Sequence, residues 1–163
     1  MQWQKEIQNK QQLHKQLKVQ NKQKQLKIQI HGKTSSEAPA KNVTSSTGSA
    51  VVNYAKQFLG YKYVYGGTTT NGFDCSGFTQ FVYKHFGITL NRTAAAQYSN
   101  GKAVTDLQAG DLVMFGKSGI NHVGIYIGGN TFIHAANSSR GVTTDTLSSG
   151  YYKTNYVGAR RIF

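Results

Sequence analysis

One cysteine and three histidines are the candidates for nucleophilic and general-base chemistry in residues 49–163. Cys75 lies in the segment DCSGFTQFVYKHFG, between a glycine-rich stretch and an apolar run. This position predicts the first turn of a helix, where unpaired backbone N–H groups and the positive end of the helix dipole favour a thiolate. A cysteine that only fills a core would more naturally lie one or two turns later. The position therefore favours a nucleophile, although an inert buried thiol remains an alternative.

A nucleophilic cysteine needs a base, and the base needs a partner that orients it. His85 is on the same predicted helix as Cys75 but nearly three turns away, and we interpret it as structural. His122 and His134 lie on two consecutive predicted strands that are joined by the sequence GGN. These two histidines are therefore the candidates for a base and its orienting partner.

The length of the turn between these two strands decides whether His122 and His134 can cooperate. A three-residue turn at 128–130 pairs Gly124 with His134 and places both histidines on one face, as diagonal neighbours about 7–8 Å apart. A two-residue turn would put them on opposite faces, because side chains alternate along a strand. We therefore predict a three-residue turn.

The same three side chains could instead ligate a metal ion. Zinc sites usually have ligands at short spacing, or a fourth Cys, His or acidic ligand nearby. Asp74 is the only obvious fourth ligand for Cys75, His122 and His134, and we predict no metal. An inert cysteine with two structural histidines is the remaining alternative.

The elements that must position these residues change in character along the chain. Apolar residues at helical spacing, each followed by glycine, predict helices over 49–60 and 74–87, and a third, short helix is predicted over 92–101. The second half is predicted to form strands with the sequences DLVMFG, HVGIYIGG, TFIHAA and YVGARRIF. Helices followed by a run of strands predict an α+β domain with an antiparallel sheet.

Composition divides the 163 residues into three parts. Residues 1–31 are rich in Gln and Lys and predict a marginal helix, and the small polar residues 32–48 predict a flexible linker. Residues 49–163 predict one globular domain. The single cysteine excludes an internal disulfide, no run reaches the roughly 18 apolar residues of a membrane span, and no secretory signal is visible at the first residues.

The blocks YKYVYGG, FDCSGFTQFVY, LNRTAAAQ, AGDLVMF, NHVGIYIGG and FIHA follow one another within residues 49–163. In this combination and order they resemble the NlpC-type cell-wall peptidases, papain-like cysteine enzymes of bacteria and their phages. The resemblance covers residues 50–162. It implies a papain-like α+β domain in which amino-terminal helices pack on a central antiparallel sheet.

The resemblance also implies roles for individual residues. Cys75 matches the nucleophile, His122 the base, and His134 the polar residue that orients the base. No metal or organic cofactor is implied. The reaction implied is hydrolysis of the stem peptides of peptidoglycan, typically at the bond between γ-D-glutamate and a diamino acid, by a secreted or cell-wall-associated enzyme.

Four further residues match positions around the nucleophile. Tyr63 matches a tyrosine close to it, and is a candidate second donor to the oxyanion. Asp74 and Ser76 match positions that line the peptide-binding groove in relatives. Arg92 matches an arginine for which structural support and substrate contact are equally good interpretations.

The positive charge of the chain is concentrated near its start. The net charge is +13, and residues 1–33 carry eight lysines against one glutamate. A basic segment of this kind attracts polyanions or serves as a solvated helix. We expect it to bind anionic cell-wall polymers, with retention lost at high salt, and we expect no nucleic-acid partner.

Two other functions are compatible with the same motifs. An amidase, acyltransferase or transpeptidase could use the same Cys-His-His core with another acyl donor or with an amine acceptor. A non-catalytic module that binds cell walls or polyanions is the second alternative. The intact set of Cys75, His122 and His134 disfavours such a module.

Overall fold

The structure of the protein, a computed structural model, describes residues 5–6, 8–16, 18 and 39–163. It forms two compact units, residues 1–42 and 43–163. In the first unit, residues 5–6, 8–16 and 18 are helical and exposed, and the other residues of the helix predicted over 1–31 lie outside the described residues. None of the helices in the described ranges is long and apolar enough to cross a bilayer.

The second unit combines short helices with two antiparallel sheets. The helices described from residue 39 onward are α1 (Pro39–Lys56), α2 (Cys75–His85), α3 (Ala94–Gln97) and α4 (Gly150–Thr154). The strands are β1 (Thr68–Thr69), β2 (Gly72–Phe73), β3 (Lys102–Val104), β4 (Leu112–Phe115), β5 (His122–Gly128), β6 (Thr131–Ala135), β7 (Val142–Thr146) and β8 (Tyr156–Arg161). β1 pairs with β2, and the other strands form one sheet in the order β3-β8-β4-β5-β6-β7. The predicted α+β class, with helices on an antiparallel sheet, is confirmed.

The start of α1 differs from the prediction. Residues 39–48, predicted as part of a flexible linker, form the first turns of this helix, and residues 32–38 lie outside the described residues. The fixed φ of Pro39 suits a first helical turn. A Cβ on Gly48 would lie 2.0 Å from the carbonyl oxygen of Ala109, so glycine is needed where the helix passes this backbone. Tertiary contact of this kind overrides the poor helix propensity of Ser, Thr and Gly.

The six-stranded sheet buries both of its faces. Residues that alternate along the strands point to opposite sides, where each set packs in its own cluster. The larger cluster packs α1 and α2 against the sheet, and includes Val51, Ala55, Phe78, Val82, Met114, Ile125 and Ile133. The smaller cluster consists of Val113, Phe115, Tyr126, Phe132 and Ala159, with Tyr152 of α4 packed against it.

Two strands of this sheet were missed by the sequence analysis, β3 and β7. The sequence of β7, VTTDT, has no apolar alternation, and its residues are mostly half-buried. It lies at one edge of the sheet and pairs only with β6, among the described strands. Its structure therefore depends on a partner strand and not on its own pattern.

Candidate active site

Cys75 is the first residue of α2, as its position in the sequence predicts. Asp74 caps this helix, because its Oδ1 accepts a 2.6 Å hydrogen bond from the backbone N–H of Gly77. Asp, Asn, Ser and Thr are preferred at this position because their oxygens satisfy free N–H groups of the first turn. The thiol is therefore fixed at the amino terminus of a helix that is anchored in the core by Phe78 and Val82.

The thiol of Cys75 lies against the start of β5. Its Sγ is 4.0 Å from the carbonyl oxygen of Asn121, and the backbone N–H of Val123 also interacts with it. These two residues flank His122 in the chain. The start of the helix that carries Cys75 thus lies against the start of the strand that carries His122.

A cleft of about 210 Å³ opens beside the thiol. Its lining residues come from the loop before α2, from α3 and from the segment before β5, and are Tyr63, Tyr65, Asp74, Cys75, Ser76, Thr93, Ala94, Ala95, Ile120 and Asn121. A larger groove of about 660 Å³ runs along the second half of α2, past Tyr54 and His85. It contains no cysteine among its lining residues, so the chemistry identifies the smaller cleft as the candidate site.

The two histidines of the hairpin are in direct contact. Nε2 of His122 lies 2.6 Å from Nδ1 of His134, a hydrogen-bond distance. Their rings meet at 83°, with centroids 4.9 Å apart. This bond uses Nε2 of His122, so Nδ1 is the ring nitrogen that it leaves for another partner.

The turn that brings the histidines together is not the predicted one. Gly128 pairs with Thr131, so the turn itself contains only Gly129 and Asn130. Both turn residues have positive φ, 57° and 58°, as the type I′ hairpin turn requires. A β-bulge at Ile127 adds one unpaired residue to β5. His122 and His134 therefore stay on the same face, which a two-residue turn without a bulge would have prevented.

The register beyond the bulge is the predicted one. Ile125 pairs with Ile133, which sets Gly124 opposite His134. A Cβ on Gly124 would lie 3.2 Å from Cβ of His134 and 2.7 Å from a ring carbon of Phe132. Glycine at this position therefore leaves room for the Phe132 ring and for Cβ of His134.

Two residues that the sequence analysis missed continue the hydrogen-bond chain. Oδ2 of Asp145 lies 2.7 Å from Nε2 of His134. Arg140 binds the same carboxylate with both guanidinium nitrogens, at 2.8 Å to Oδ2 and 3.1 Å to Oδ1. Asp145 is on β7, two residues beyond Thr143, which pairs with His134. Recognising VTTDT as a strand would have placed Asp145 diagonally beside His134.

Burial sets the protonation states of both histidines. His134 has no exposed side-chain surface, and the rings of Phe132 and Tyr152 lie 4.6 and 5.2 Å from its ring. Burial lowers the pKa of His122 to about 3, with a further contribution from His134, against the opposing charge of Asp145. Burial likewise lowers the pKa of His134 to about 4, although the hydrogen bond to Asp145 opposes it. Both imidazoles are therefore neutral at pH 7.

The thiol is also protonated in the resting protein. Burial raises the pKa of Cys75, the Val123 N–H opposes this, and the negative charge of Asp74 raises the pKa further. The position of Cys75 in the sequence predicts a thiolate stabilised by the helix terminus. Desolvation and the adjacent carboxylate outweigh that stabilisation.

Asp74, Ser76 and Arg92 form one connected cluster at the rim of the cleft. Nη2 of Arg92 lies 2.7 Å from Oδ2 of Asp74, and Nη1 lies 3.2 Å from Oδ1. Nη1 also donates to Ser76 Oγ at 2.9 Å. Although burial alone would raise the pKa of Asp74, the hydrogen bonds from Arg92 and Gly77 lower it. Arg92 therefore supports the helix cap that carries Cys75.

Tyr63 lines the same cleft as Cys75. It forms an isolated bridge with Phe73, a fully buried residue just before the cap of α2. Burial raises the pKa of Tyr63, and the neighbouring Cys75 and Asp74 raise it further. The phenol is therefore a neutral hydrogen-bond donor at pH 7.

The geometry does not resemble a metal site. In the part of the chain that the structure describes, no group of three or more Cys, His, Asp or Glu side chains could hold an ion. The facing nitrogens of His122 and His134 are 2.6 Å apart, whereas an ion between them would need about 2.0–2.1 Å to each nitrogen. The two rings are hydrogen-bonded to each other instead.

Comparison with known proteins gives one family for this chain. The family model described as "NlpC/P60 family" matches residues 60–161. The "Gamma-D-glutamyl-L-lysine dipeptidyl-peptidase" of Bacillus cereus is 44% identical over 117 residues, which cover 68% of this chain and 35% of that protein. The "Probable peptidoglycan endopeptidase LytE" of Bacillus subtilis is 46% identical over 121 residues, covering 72% of this chain and 35% of the relative. The chain thus spans about a third of the length of these two relatives.

Two solved structures have the same fold. The crystal structure of an NlpC/P60 family protein from Bacillus cereus superposes with a TM-score of 0.68 and 42% identity, covering 71% of this chain and 40% of that one. The NlpC/p60 domain of the peptidoglycan hydrolase SagA is 34% identical with a TM-score of 0.62, and 97% of it is covered. The cleft at Cys75 lies within the matched residues 60–161.

Proposed function

Because this chain belongs to the NlpC/P60 family, we propose that it is a cysteine peptidase that cleaves the stem peptides of peptidoglycan. The observation that carries the proposal is the arrangement of three side chains. Cys75 lies at a helix amino terminus against the segment that carries His122, and His134 is hydrogen-bonded behind His122. The names of the relatives, peptidoglycan endopeptidase and γ-D-glutamyl-L-lysine dipeptidyl-peptidase, support the same reaction class.

The proposed reaction is acyl transfer through Cys75. Nδ1 of His122 accepts the thiol proton as Sγ attacks the carbonyl carbon of the peptide, so that no free thiolate accumulates. The raised pKa of the Cys75 thiol and the lowered pKa of His122 support this general-base route. While His122 carries this proton, His134 stabilises the imidazolium by accepting a hydrogen bond from it.

The tetrahedral intermediate needs donors for its oxyanion. The backbone N–H of Cys75 is one candidate, and the phenol of Tyr63, which lines the same cleft, is the other. Collapse of the intermediate breaks the carbon–nitrogen bond, and His122 returns its proton to the leaving amine. Water then attacks the thioester with His122 as base, releasing the new carboxylate and the Cys75 thiol.

The bond that we propose is the one between γ-D-glutamate and the diamino acid. The family resemblance and the name of the Bacillus cereus relative support this choice. We propose the cell wall as the place of action, and anionic wall polymers as the partner of the basic segment 1–33. The charge of that segment supports the second proposal, with eight lysines against one glutamate.

The test is mass spectrometry of muropeptides incubated with the protein and with three variants. Cys75→Ala, His122→Asn and His85→Asn isolate the nucleophile, the base and a histidine outside the cleft. We expect fragments split after γ-D-glutamate with the native protein and with His85→Asn. We expect Cys75→Ala to have no activity and His122→Asn to be slowed by about 100-fold or more.

Three other outcomes would contradict the proposal in different ways. Equal cleavage by the native protein and Cys75→Ala would remove the nucleophile from the mechanism. Products that appear only when an amine is added, with the amine incorporated, would indicate a transpeptidase. Binding of muropeptides without a change in mass would indicate a non-catalytic module.

A further inference from the structure

The hydrogen-bond chain behind Cys75 has a direction. It runs from His122 through His134 to Asp145 and ends at Arg140. A neutral imidazole has one N–H and one lone pair, so each ring donates on one side and accepts on the other. The group at the far end of the chain therefore determines which nitrogen of His122 carries the proton.

Asp145 at the far end is an acceptor only. Burial alone would raise the pKa of Asp145, but hydrogen bonds from Arg140 and His134 lower it, so it is a carboxylate at neutral pH. Its Oδ2 faces Nε2 of His134 at 2.7 Å, and Nε2 must therefore be the N–H of that ring. Nδ1 of His134 is then an acceptor, and Nε2 of His122, at 2.6 Å, must donate to it. The remaining nitrogen, Nδ1 of His122, carries a lone pair.

We propose that Asp145, held in place by Arg140, is a positioning residue that fixes the tautomers of both histidines, so that the nitrogen of His122 available to Cys75 is a proton acceptor. With the opposite tautomers, Nδ1 of His122 would carry a hydrogen and could not take the proton of the thiol. This inference rests on the proposed function for its role in catalysis. The direction of these hydrogen bonds is already set in the protein without substrate.

The fold holds Arg140 in position for this task. It lies in a turn in which Oδ1 of Asn137 accepts the backbone N–H groups of Ser139 and Arg140, each at 3.0 Å. The turn closes with a 2.9 Å bond from the N–H of Gly141 to the carbonyl oxygen of Asn137. A guanidinium contacts a carboxylate most rigidly through two parallel bonds, and Arg140 makes both of them. Arg140 thereby keeps Oδ2 of Asp145 directed at His134.

In Asp145→Asn, Arg140 and His134 compete for the single oxygen of the side chain. Its amide offers one oxygen and one NH₂ group, and Arg140 has only donors. The amide oxygen should turn to Arg140, so the NH₂ group should face Nε2 of His134 and make it an acceptor. Both rings should then reverse, with the hydrogen on Nδ1. Removing the guanidinium as well, in Asp145→Asn with Arg140→Met, frees the amide oxygen to return to His134.

The experiment combines ring-nitrogen NMR with alkylation of Cys75. ¹⁵N shifts of the imidazoles, assigned with His122→Asn and His134→Asn, report which nitrogen carries the hydrogen. We expect Nε2–H on both rings in the native protein and in Arg140→Met, and Nδ1–H in Asp145→Asn. The rate at which iodoacetamide modifies Cys75 should fall about tenfold or more in Asp145→Asn, and should recover at least threefold in the double variant. With muropeptides, kcat of Asp145→Asn should fall about 100-fold with KM within twofold.

Several results would overturn the inference. Nδ1–H on His122 in the native protein would do so alone, even if Asp145→Asn did not fold. Native tautomers and a native alkylation rate in Asp145→Asn would also do so, as would a double variant no faster than the single one. Absence of muropeptide cleavage by the native protein, with the expected tautomers and alkylation rates, would instead count against the proposed function alone.

Discussion

Acidification should destabilise this protein well above the pH at which its carboxylates titrate. The cause is His134, which has no exposed side-chain surface and must stay neutral in the folded state. Burial lowers its pKa from 6.5 to about 4. Between these two values the unfolded chain binds a proton that the folded chain does not, so the free energy of unfolding falls as the pH falls from about 7 to about 4.

The magnitude follows from the two pKa values of His134. They differ by 6.5 minus about 4, and each unit corresponds to about 1.4 kcal/mol, so His134 alone costs about 3 kcal/mol of stability at pH 4. His122, whose pKa burial lowers to about 3, adds to this in the same direction. Typical domains are stable by about 5–15 kcal/mol, so the loss is a large share of the total.

The assay is urea unfolding of the full chain from pH 7.5 to pH 4.5, followed by far-ultraviolet circular dichroism. The only tryptophan is Trp3, far in sequence from the domain, so its fluorescence is not a suitable probe. His134→Asn keeps a donor and an acceptor at this position and should show a shallower dependence on pH. His85→Asn, at an exposed histidine on α2, should retain the native dependence. Equal losses in the native protein and in His134→Asn would refute the reasoning.

Two further substitutions test the supports of the site. Gly124→Ala places a methyl group 2.7 Å from a ring carbon of Phe132 and 3.2 Å from Cβ of His134. It should cost about 1–3 kcal/mol in urea unfolding and lower kcat by tenfold or more; native kcat would show that the histidines tolerate the shift. Arg92→Met removes the donors to both oxygens of Asp74 and should cost about 2 kcal/mol, with Arg92→Lys intermediate. Native stability of Arg92→Met would contradict a role of Arg92 in supporting the cap.

The parts of the site that are local in sequence were predictable. The start of α2 at Cys75 follows from Asp74, because carboxylates at a helix cap accept hydrogen bonds from free N–H groups. The apolar residues that follow at helical spacing, and the glycine after them, predict the helix itself. The two strands that carry His122 and His134 follow from the alternation of apolar residues along each of them. Each of these inferences depends on residues within a few positions of one another, where propensity and periodicity act directly.

The parts that depend on distant partners were not predictable in the same way. The helix over 39–48 depends on the close approach of Gly48 to Ala109, and the bulge at Ile127 replaces the predicted turn without changing the register of the histidines. The state of the thiol was also decided by packing, since burial outweighs the helix terminus.

The sequence by itself determined the helix that presents Cys75 and the two strands that carry His122 and His134. Only the tertiary structure decided that Asp145 stands behind them, because β7 has a polar sequence and becomes a strand by pairing with β6. The hydrogen bonds of a helix cap join near neighbours, and so its residues can be recognised in the sequence. The hydrogen bonds of an edge strand join it to another segment of the chain, and which segment that is depends on how the whole sheet folds.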